Sequence, residues 1–376
     1  MIHFFKNNLF KEELSSLNEF YHNYDFNIRN KVSQYFIQQF RYPNFSLTKS
    51  CTQSLELAIM SLNLPRGSEV IIPSYGFVSL ANAVIVNGLK CVFVDCDPET
   101  MNINSTSIFN AISPSTSAII TINYGGVACD YDLLIPFCKD NKIILIEDNA
   151  HGIFAKYKDQ YLGNFGDIST ISFDFMKNIS CNEGGGITIN NLSLVESFYK
   201  SYFFGTNKKD FVAGNVNFYE WQSAGTNAIL AEHLSVILMA QLSKSQEIGK
   251  RYLEIWNTYY ENLLKLEDNN FIELPKIPDY AGHNAHIFWI KVKNNIVREK
   301  LTSFMANEKI ELTFHYVPLH SSAFGKNMGE FRGEDKFTTK DSSRLLRLPI
   351  YFSLTDSEQS EVIDKIYRFF KKINLI

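Results

Sequence analysis

The 376-residue chain lacks several features that would have assigned it a class at once. No run approaches 18 apolar residues, so no segment reads as a membrane span. There is no excess of basic charge. The formal net charge of −4 leaves no electrostatic footprint for nucleic acid, while a local pocket for an anionic ligand stays compatible with it. The six cysteines (Cys51, Cys91, Cys96, Cys129, Cys138 and Cys181) contain no CxxC pair, and several stand inside apolar runs. They read as buried thiols of a reducing compartment rather than as a disulfide frame or a metal site. The opening MIHFFKNNLFKEEL has no long apolar core and no small-residue cleavage site, unlike a signal peptide. Low-complexity tracts and repeats are missing as well. The expectation is a cytoplasmic globular protein that binds neither membrane nor nucleic acid.

What is present is an ordinary globular composition, 45% hydrophobic and 20% charged, with a heavy aromatic load of 31 Phe and 19 Tyr. The length predicts two domains. Residues 12–42 read as helical, with Leu14, Leu17, Phe20 and Tyr21, then Val32, Tyr35, Phe36 and Phe40, at helix spacing. Ser50 and Thr52 are N-cap candidates for a helix whose stripe is Leu55, Ala58, Ile59 and Leu62. From there strands and helices alternate. Strands are expected at 70–72, 91–94, 118–122, 143–146, 168–173 and 186–189, and helices at 79–86 and 133–138. Continuous apolar runs with helical crossovers predict a mainly parallel sheet covered on both faces. A loop at 205–225 and one long helix over 228–266 follow. A smaller α+β part then has strands at 285–292, 310–316 and 345–348 and helices at 297–307 and 357–371.

Ligands of such sheets gather beyond the carboxyl ends of the strands. That rule collects Pro73-Ser74-Tyr75-Gly76-Phe77, Tyr124-Gly125-Gly126, Glu147-Asp148-Asn149-Ala150-His151 and the stretch from Ser172 to Lys177. A lysine just past a strand end, with a hydroxyl five residues earlier and three glycines after Glu183, suits Schiff-base chemistry, which requires a desolvated amine. Taken one at a time, each residue has an ordinary reading. Lys177 would be a solvated loop charge, Asp148 a turn residue, His151 a polar loop residue, Phe77 core, and the helix start a plain cap.

Together, the runs PSYGFVS, NYGGVACD, IEDNAHG, NAHIFWIKV, FHYVPLH, GEFRGED and LLRLPIYFSL resemble the DegT/StrS group of nucleotide-sugar aminotransferases from about residue 40 onward. Within that group they are nearest to the WecE-type branch, which aminates dTDP-4-keto-6-deoxyglucose at C4. The resemblance implies an aspartate-aminotransferase-like α/β fold (fold type I). Residues 1–240 would form a large domain binding pyridoxal 5′-phosphate (PLP), and residues 241–376 a small α+β domain. It implies that Lys177 is the Schiff-base lysine and Asp148 the carboxylate facing the pyridine nitrogen. His151 would lie near the phenolic oxygen and Phe77 would stack on the ring. Thr52 and Gln53 would hold the phosphate at the helix start, with Ser172 as a second donor, and Asn227 would reach the phosphate of a partner subunit. His315 and His320 fall near the sugar site without an assigned step.

The chain departs from the family pattern in three places. Gly76 stands where Thr commonly precedes the stacking aromatic. Asn227-Ala228-Ile229-Leu230 replaces Asn-x-Arg-Met. The loop after Lys177 is one residue shorter than in the nearest branch and resembles the UDP-arabinose 4-aminotransferase branch.

The implied reaction moves an amino group from L-glutamate to C4 of a dTDP-4-keto-6-deoxy-hexose, by two half-reactions in a homodimer with shared active sites. Its setting would be O-antigen or other surface-polysaccharide synthesis. Amination at C3 of a 3-keto isomer, or a UDP carrier, are the alternatives. The family's dehydratase branch carries histidine in place of Lys177. A catalytically dead paralogue would have lost Lys177 or Asp148. A DNA-binding regulator built on this fold would need a helix-turn-helix, whereas the roughly 40 residues before the phosphate-site helix are not basic.

Overall fold

In the computed structural model, which describes residues 1–8, 10–23 and 27–373, the apolar runs become strands of one large sheet. The strands in chain order are β1 (Ser46–Thr48), β2 (Glu69–Pro73), β3 (Lys90–Val94), β4 (Thr116–Ile122), β5 (Ile144–Asp148), β6 (Ile168–Ser172) and β7 (Gly185–Ile189). They are followed by β8 (Ile272–Glu273), β9 (Phe288–Val292), β10 (Gly329–Phe331) and β11 (Leu345–Leu348). The large sheet has the order β1-β7-β6-β5-β4-β2-β3-β10. Its pairings from β10 through β6 are parallel, and β7 runs antiparallel to both β6 and β1.

Both faces are covered, which is why these strands read as continuous apolar runs. Val70 and Ile72 of β2 pack with Leu55, Ala58, Leu80 and Val84 of the helices Cys51–Ser61 and Ser79–Val86. Ile71, between them, packs on the opposite face with Ile108 and Leu134 of the helices Ser105–Ala111 and Tyr131–Asn141. The parallel pairing brings the carboxyl ends of β2, β4, β5 and β6 to one edge, and the antiparallel β7 adds its amino end there.

Of two three-stranded sheets among the described residues, one joins the short segments Lys156–Tyr157, Gln160–Tyr161 and Ala281–Gly282, and the other, β8-β9-β11, is antiparallel and belongs to the smaller part. Its core joins Phe288, Ile290, Leu346 and Leu348 to Tyr259, Leu263, Leu301 and Ile366 of the helices Ser245–Asp268, Asn295–Asn307 and Asp356–Lys372. A capping box at Thr355 and Glu358 starts the last helix. The amino-terminal residues lie against this part of the molecule. The Ile2 N–H donates to the Lys309 carbonyl at 2.8 Å, and the Glu311 N–H donates to Ile2 at 3.0 Å.

Several expectations change. The helix expected over 12–42 is two helices, Lys11–Asn23 and Ile28–Phe40; residues 24–26 lie outside the described residues, and Leu14 and Tyr21 face solvent. The long helix expected over 228–266 is likewise two, Glu232–Ser243 and Ser245–Asp268, broken at Lys244. Residues 310–316 do not form a strand, since their ladder is reduced to single bridges at Ile310 and Thr313. The expected polar loop 321–340 instead contains β10, which crosses to the large sheet and pairs with β3. The loop expected over 205–225 holds a short helix, Lys208–Val212. All six cysteines are buried and unpaired. No helix among the described residues is long and apolar enough to cross a membrane.

Candidate active site

The shared strand edge opens into a cavity of about 510 Å³ lined by Thr52, Phe77, Asp148, His151, Ser172 and Lys177. Six of the eight residues expected at the site therefore meet. Gln53 is one position further along the helix and turns away: its Nε2 donates to Thr226 Oγ1 at 3.3 Å and to the Asn227 carbonyl at 3.5 Å, and its Oε1 is buried without a partner. Asn227 is exposed and does not line this cavity.

At the anion-accepting end, Ser50 is the N-cap, its side chain accepting from the Gln53 N–H at 3.1 Å. Thr52 falls in the first turn rather than at the cap. Ser50, Cys51 and Thr52 present the start of an 11-residue helix to the cavity, the positive end of its dipole. Gly185 lets β7 pass directly beneath. A Cβ there would stand 2.4 Å from the Ser50 carbonyl carbon. The Ser172 hydroxyl faces the same end and accepts from the Asp174 N–H at 3.3 Å.

The two acidic residues that close β5 separate by strand alternation. Glu147 is buried away from the cavity and accepts from the N–H groups of Gly163 (2.6 Å) and Phe165 (3.1 Å) and from Asn123 Nδ2 (3.0 Å). It is a structural carboxylate. Asp148, 3% exposed, lines the cavity. Its Oδ1 accepts from the Ala150 N–H at 2.9 Å and lies 3.8 Å from Cys51 Sγ. Burial pushes its carboxyl up to about 6, against the Ala150 hydrogen bond and the Lys177 charge, which favour ionisation. A cationic group brought beside Asp148 would restore its charge.

Lys177 sits on an Asx-type turn, where Asp174 Oδ1 accepts from the Met176 N–H at 3.1 Å and the Asp174 carbonyl from the Lys177 N–H at 2.9 Å. Phe173 ties the loop shut through hydrogen bonds with Gly184 and Cys181. Burial lowers the pKa of the amine, opposed by Asp148 and Asp174, so the neutral base is more accessible than for a surface lysine.

His151 Nδ1 accepts from the Gly125 N–H at 3.2 Å, a bond that assigns the ring proton to Nε2. Burial, with Lys177 and the neighbouring histidines, holds its pKa well below the usual value, so the ring is neutral. His286, 4.4 Å from His151 between ring centroids, is fixed the opposite way. Its Nδ1 donates to Asn178 Oδ1 at 2.6 Å, because Asn178 Nδ2 is itself committed to the Asn284 carbonyl at 3.0 Å. Phe77 is about half exposed over the cavity, 6.3 Å from the Tyr316 ring.

The sequence reading missed His286, Asn178, Tyr316 and Arg347, and left His315 unassigned; all except Asn178 line the cavity. The trace they left was position: His286 and Arg347 stand inside runs quoted above as family-like, NAHIFWIKV and LLRLPIYFSL.

The donor set fits a planar ring that carries a phosphate at one end and a basic nitrogen facing a carboxylate, with an amine between them. Joined to this sheet order, it defines a fold-type I aminotransferase that works with pyridoxal phosphate. More narrowly, the chain belongs to the DegT/DnrJ/EryC1/StrS aminotransferase family, which it matches over residues 33–367. An uncharacterised protein of Methanocaldococcus jannaschii is 31% identical over 324 residues, 84% of this chain and 83% of its own length. The spore coat polysaccharide biosynthesis protein SpsC of Bacillus subtilis is 27% identical over 325 residues, with the same shares. Among solved structures, the aminotransferase TlmJ of Streptoalloteichus hindustanus superposes with a TM-score of 0.90 at 24% identity, covering 99% of this chain and 100% of that one.

Proposed function

We propose that the enzyme transfers an amino group from L-glutamate to C4 of a dTDP-4-keto-6-deoxy-hexose, supplying an amino sugar for a surface polysaccharide such as O-antigen. The observation that carries the chemistry is a single cavity in which a lysine of lowered pKa and a buried carboxylate stand at neighbouring strand ends, under a helix start. When bound, pyridoxal phosphate supplies the electron sink for the substrate carbanion. In this reading Lys177 carries the cofactor between turnovers and moves the proton at the substrate carbon. Asp148 keeps the ring nitrogen protonated. His151 donates from Nε2 toward the phenolic oxygen, and Phe77 covers the ring. Thr52 and Ser172 hold the phosphate, while Gln53, expected beside them, is turned to Thr226 and Asn227 instead, and Asn227 serves the phosphate of a partner subunit. Its exposure outside its own chain's cavity supports that role.

The C4 position rests on the resemblance across residues 310–350, a stretch from which His315, Tyr316 and Arg347 line the cavity. The similarity to SpsC, a spore coat polysaccharide biosynthesis protein, supports the polysaccharide setting. We take the domain boundary at residue 240, giving 1–240 and 241–376, and a cytoplasmic location. A UDP-linked 4-keto sugar is the second reading, favoured by the short loop after Lys177. The test is incubation with L-glutamate and a panel of dTDP- and UDP-linked 4-keto and 3-keto sugars, with the product read by NMR. A new C4–N bond on the dTDP sugar is expected. Product from the 3-keto isomers alone, or from the UDP sugars alone, overturns the assignment.

A further inference from the structure

His286 lines the cavity beside His151, is 6% exposed, and has no task in the reading above. Its two ring nitrogens meet different surroundings. Nδ1 is turned to Asn178, which does not line the cavity. Nε2, on the other side of the ring, takes no hydrogen bond among the described residues, and it is not one of the sealed side-chain atoms left without a partner. It therefore opens onto the cavity.

The state of that nitrogen is decided away from the cavity, by two amides anchored on backbone. Asn284 Nδ2 donates to the carbonyls of His151 at 2.7 Å and Ile153 at 2.8 Å, and its Oδ1 accepts from the His286 N–H at 3.1 Å. Reversing that amide would set oxygen against two carbonyls, so Asn284 has one orientation and a fixed place. Asn178 Nδ2 donates to the Asn284 carbonyl at 3.0 Å, which leaves Asn178 Oδ1 as the atom 2.6 Å from His286 Nδ1. An amide oxygen only accepts, so the imidazole proton sits on Nδ1. Burial, with the charges of Lys177 and Arg347, keeps the ring from taking a second proton. Nε2 is left as an acceptor without a proton. His151 is fixed the other way and presents an N–H, 4.4 Å distant between ring centroids.

We propose that His286 Nε2 accepts a hydrogen bond from the sugar hydroxyl on a carbon next to the carbonyl, with Asn178 as the positioning residue that keeps this nitrogen an acceptor; the inference rests on the sugar-aminotransferase reading above. A nitrogen lone pair repels carboxylate and phosphate oxygens and pairs only with a donor. Of the two substrates, L-glutamate carries its donors on the nitrogen that it hands over. The keto hexose carries a hydroxyl beside its reacting carbon. His286 stands at the reacting end of the cavity, close enough to Lys177 for that charge to act on its ring. A hydroxyl held there fixes the rotation of the sugar about its carbonyl, and a site built to receive a hydroxyl disfavours the substrate that lacks it.

The experiment has two arms, and both begin with wild-type holoenzyme. Nitrogen-15 NMR of labelled histidines, with the signal assigned by its loss in His286→Phe, should show the His286 proton on Nδ1 and none on Nε2. Asn178→Leu removes the acceptor and should move proton density to Nε2. In the second arm the pyridoxamine-phosphate form is mixed in single turnovers with the keto sugar that proves to be substrate, and with analogues deoxygenated next to the carbonyl. Wild type should prefer the parent sugar over one such analogue by about 10-fold or more. His286→Phe keeps a flat ring without the acceptor. It should erase that preference and still react with L-glutamate within a few-fold of wild type, whereas His286→Gln, which offers an amide oxygen, should recover part of the preference. Asn178→Leu should reduce the preference in step with its NMR change. A proton on Nε2 in wild type overturns the inference, as do equal rates with parent and deoxy sugars, or a His286→Phe enzyme that keeps the preference. Equal loss with both sugars and with L-glutamate in His286→Phe assigns the residue to packing and overturns it as well. Wild-type enzyme that reacts with L-glutamate but with no keto sugar overturns the proposed function, and the inference falls with it.

Discussion

Gly185 permits a sharp test of how the cavity is built. It opens β7 beside Ser172 and beneath the first residues of the helix Cys51–Ser61. A Cβ at this position would meet the Ser50 carbonyl carbon at 2.4 Å, the Cys51 nitrogen at 2.5 Å and the Ser50 oxygen at 2.7 Å. All three are backbone atoms, so no rotamer change relieves the clash. The helix start has to withdraw by about 1 Å before contact becomes ordinary, and it carries Ser50, Cys51 and Thr52 out of place with it. Overpacking of this kind costs about 1–3 kcal/mol. At about 2 °C per kcal/mol for a chain of this length, Gly185→Ala should lower Tm by roughly 2–6 °C. A 1 Å displacement at a reacting site costs on the order of 10²-fold in rate, and affinity for pyridoxal phosphate should fall with it. Gly249 is the control. It lies inside the helix Ser245–Asp268, where a Cβ would meet nothing within 4 Å, so Gly249→Ala should stabilise by about 0.5–1 kcal/mol. Scanning calorimetry and equilibrium dialysis of the cofactor read both variants. Unchanged Tm and unchanged cofactor affinity in Gly185→Ala would refute the packing argument.

Lys177→Ala should abolish turnover and leave the fold intact, and borohydride should fix the cofactor of wild type to one peptide; label on a lysine other than Lys177 would move the site. Asp148→Asn should cost at least ~10²-fold in rate, since the amide cannot keep the ring nitrogen protonated. The same variant carries a pH signature in protein stripped of cofactor. The Asp148 carboxyl rises from 3.8 to about 6 on folding, so its neutral form stabilises the fold below pH ~4 and that contribution is lost as pH climbs through 6. The Tm of Asp148→Asn relative to wild type should therefore grow between pH 4 and 6 by the equivalent of about 3 kcal/mol and then level off, and a pH-independent difference contradicts the burial argument. Mixing inactive Lys177→Ala with inactive Asn227→Asp should restore activity, because one site of each hybrid dimer then has both residues intact; proven subunit exchange without recovery excludes a shared site.

Most of the large sheet was legible because its strands are buried on both faces. A run such as Val70-Ile71-Ile72 has no solvated side to interrupt it, and the pattern survives in one dimension. The same rule about strand ends gathered Phe77, Asp148, His151, Ser172 and Lys177, and the helix start at Thr52 joins them in the cavity. The elements that were misread depend on partners far along the chain. β10 is three residues, half-buried, and exists because β3 offers it an edge. Residues 310–316 pair through two isolated bridges and carry no period that tells strand from loop. The break at Lys244 has no Pro or Gly to announce it; the flanking Ser243 and Ser245 are only mild helix breakers that many helices tolerate.

The sequence alone determined which chemistry is available: one lysine past a strand end, two adjacent carboxylates closing β5, and a helix start able to accept an anion. These are local properties of residue type and spacing, and neither Asp148 nor Lys177 needs a distant partner to reach its strand end. Tertiary structure alone decided the electrical state of that chemistry. Glu147 and Asp148 are adjacent and nearly identical, yet strand alternation sends the first to backbone donors and the second into the cavity. His151 and His286 are fixed in opposite tautomers by Gly125 and by Asn178, residues 26 and 108 positions away. Arg344, just before β11, and Arg347, on it, are three residues apart, one closing on two carboxylates and the other facing the cavity. Burial and hydrogen-bond partners set charge, and both are known only when the chain has closed on itself.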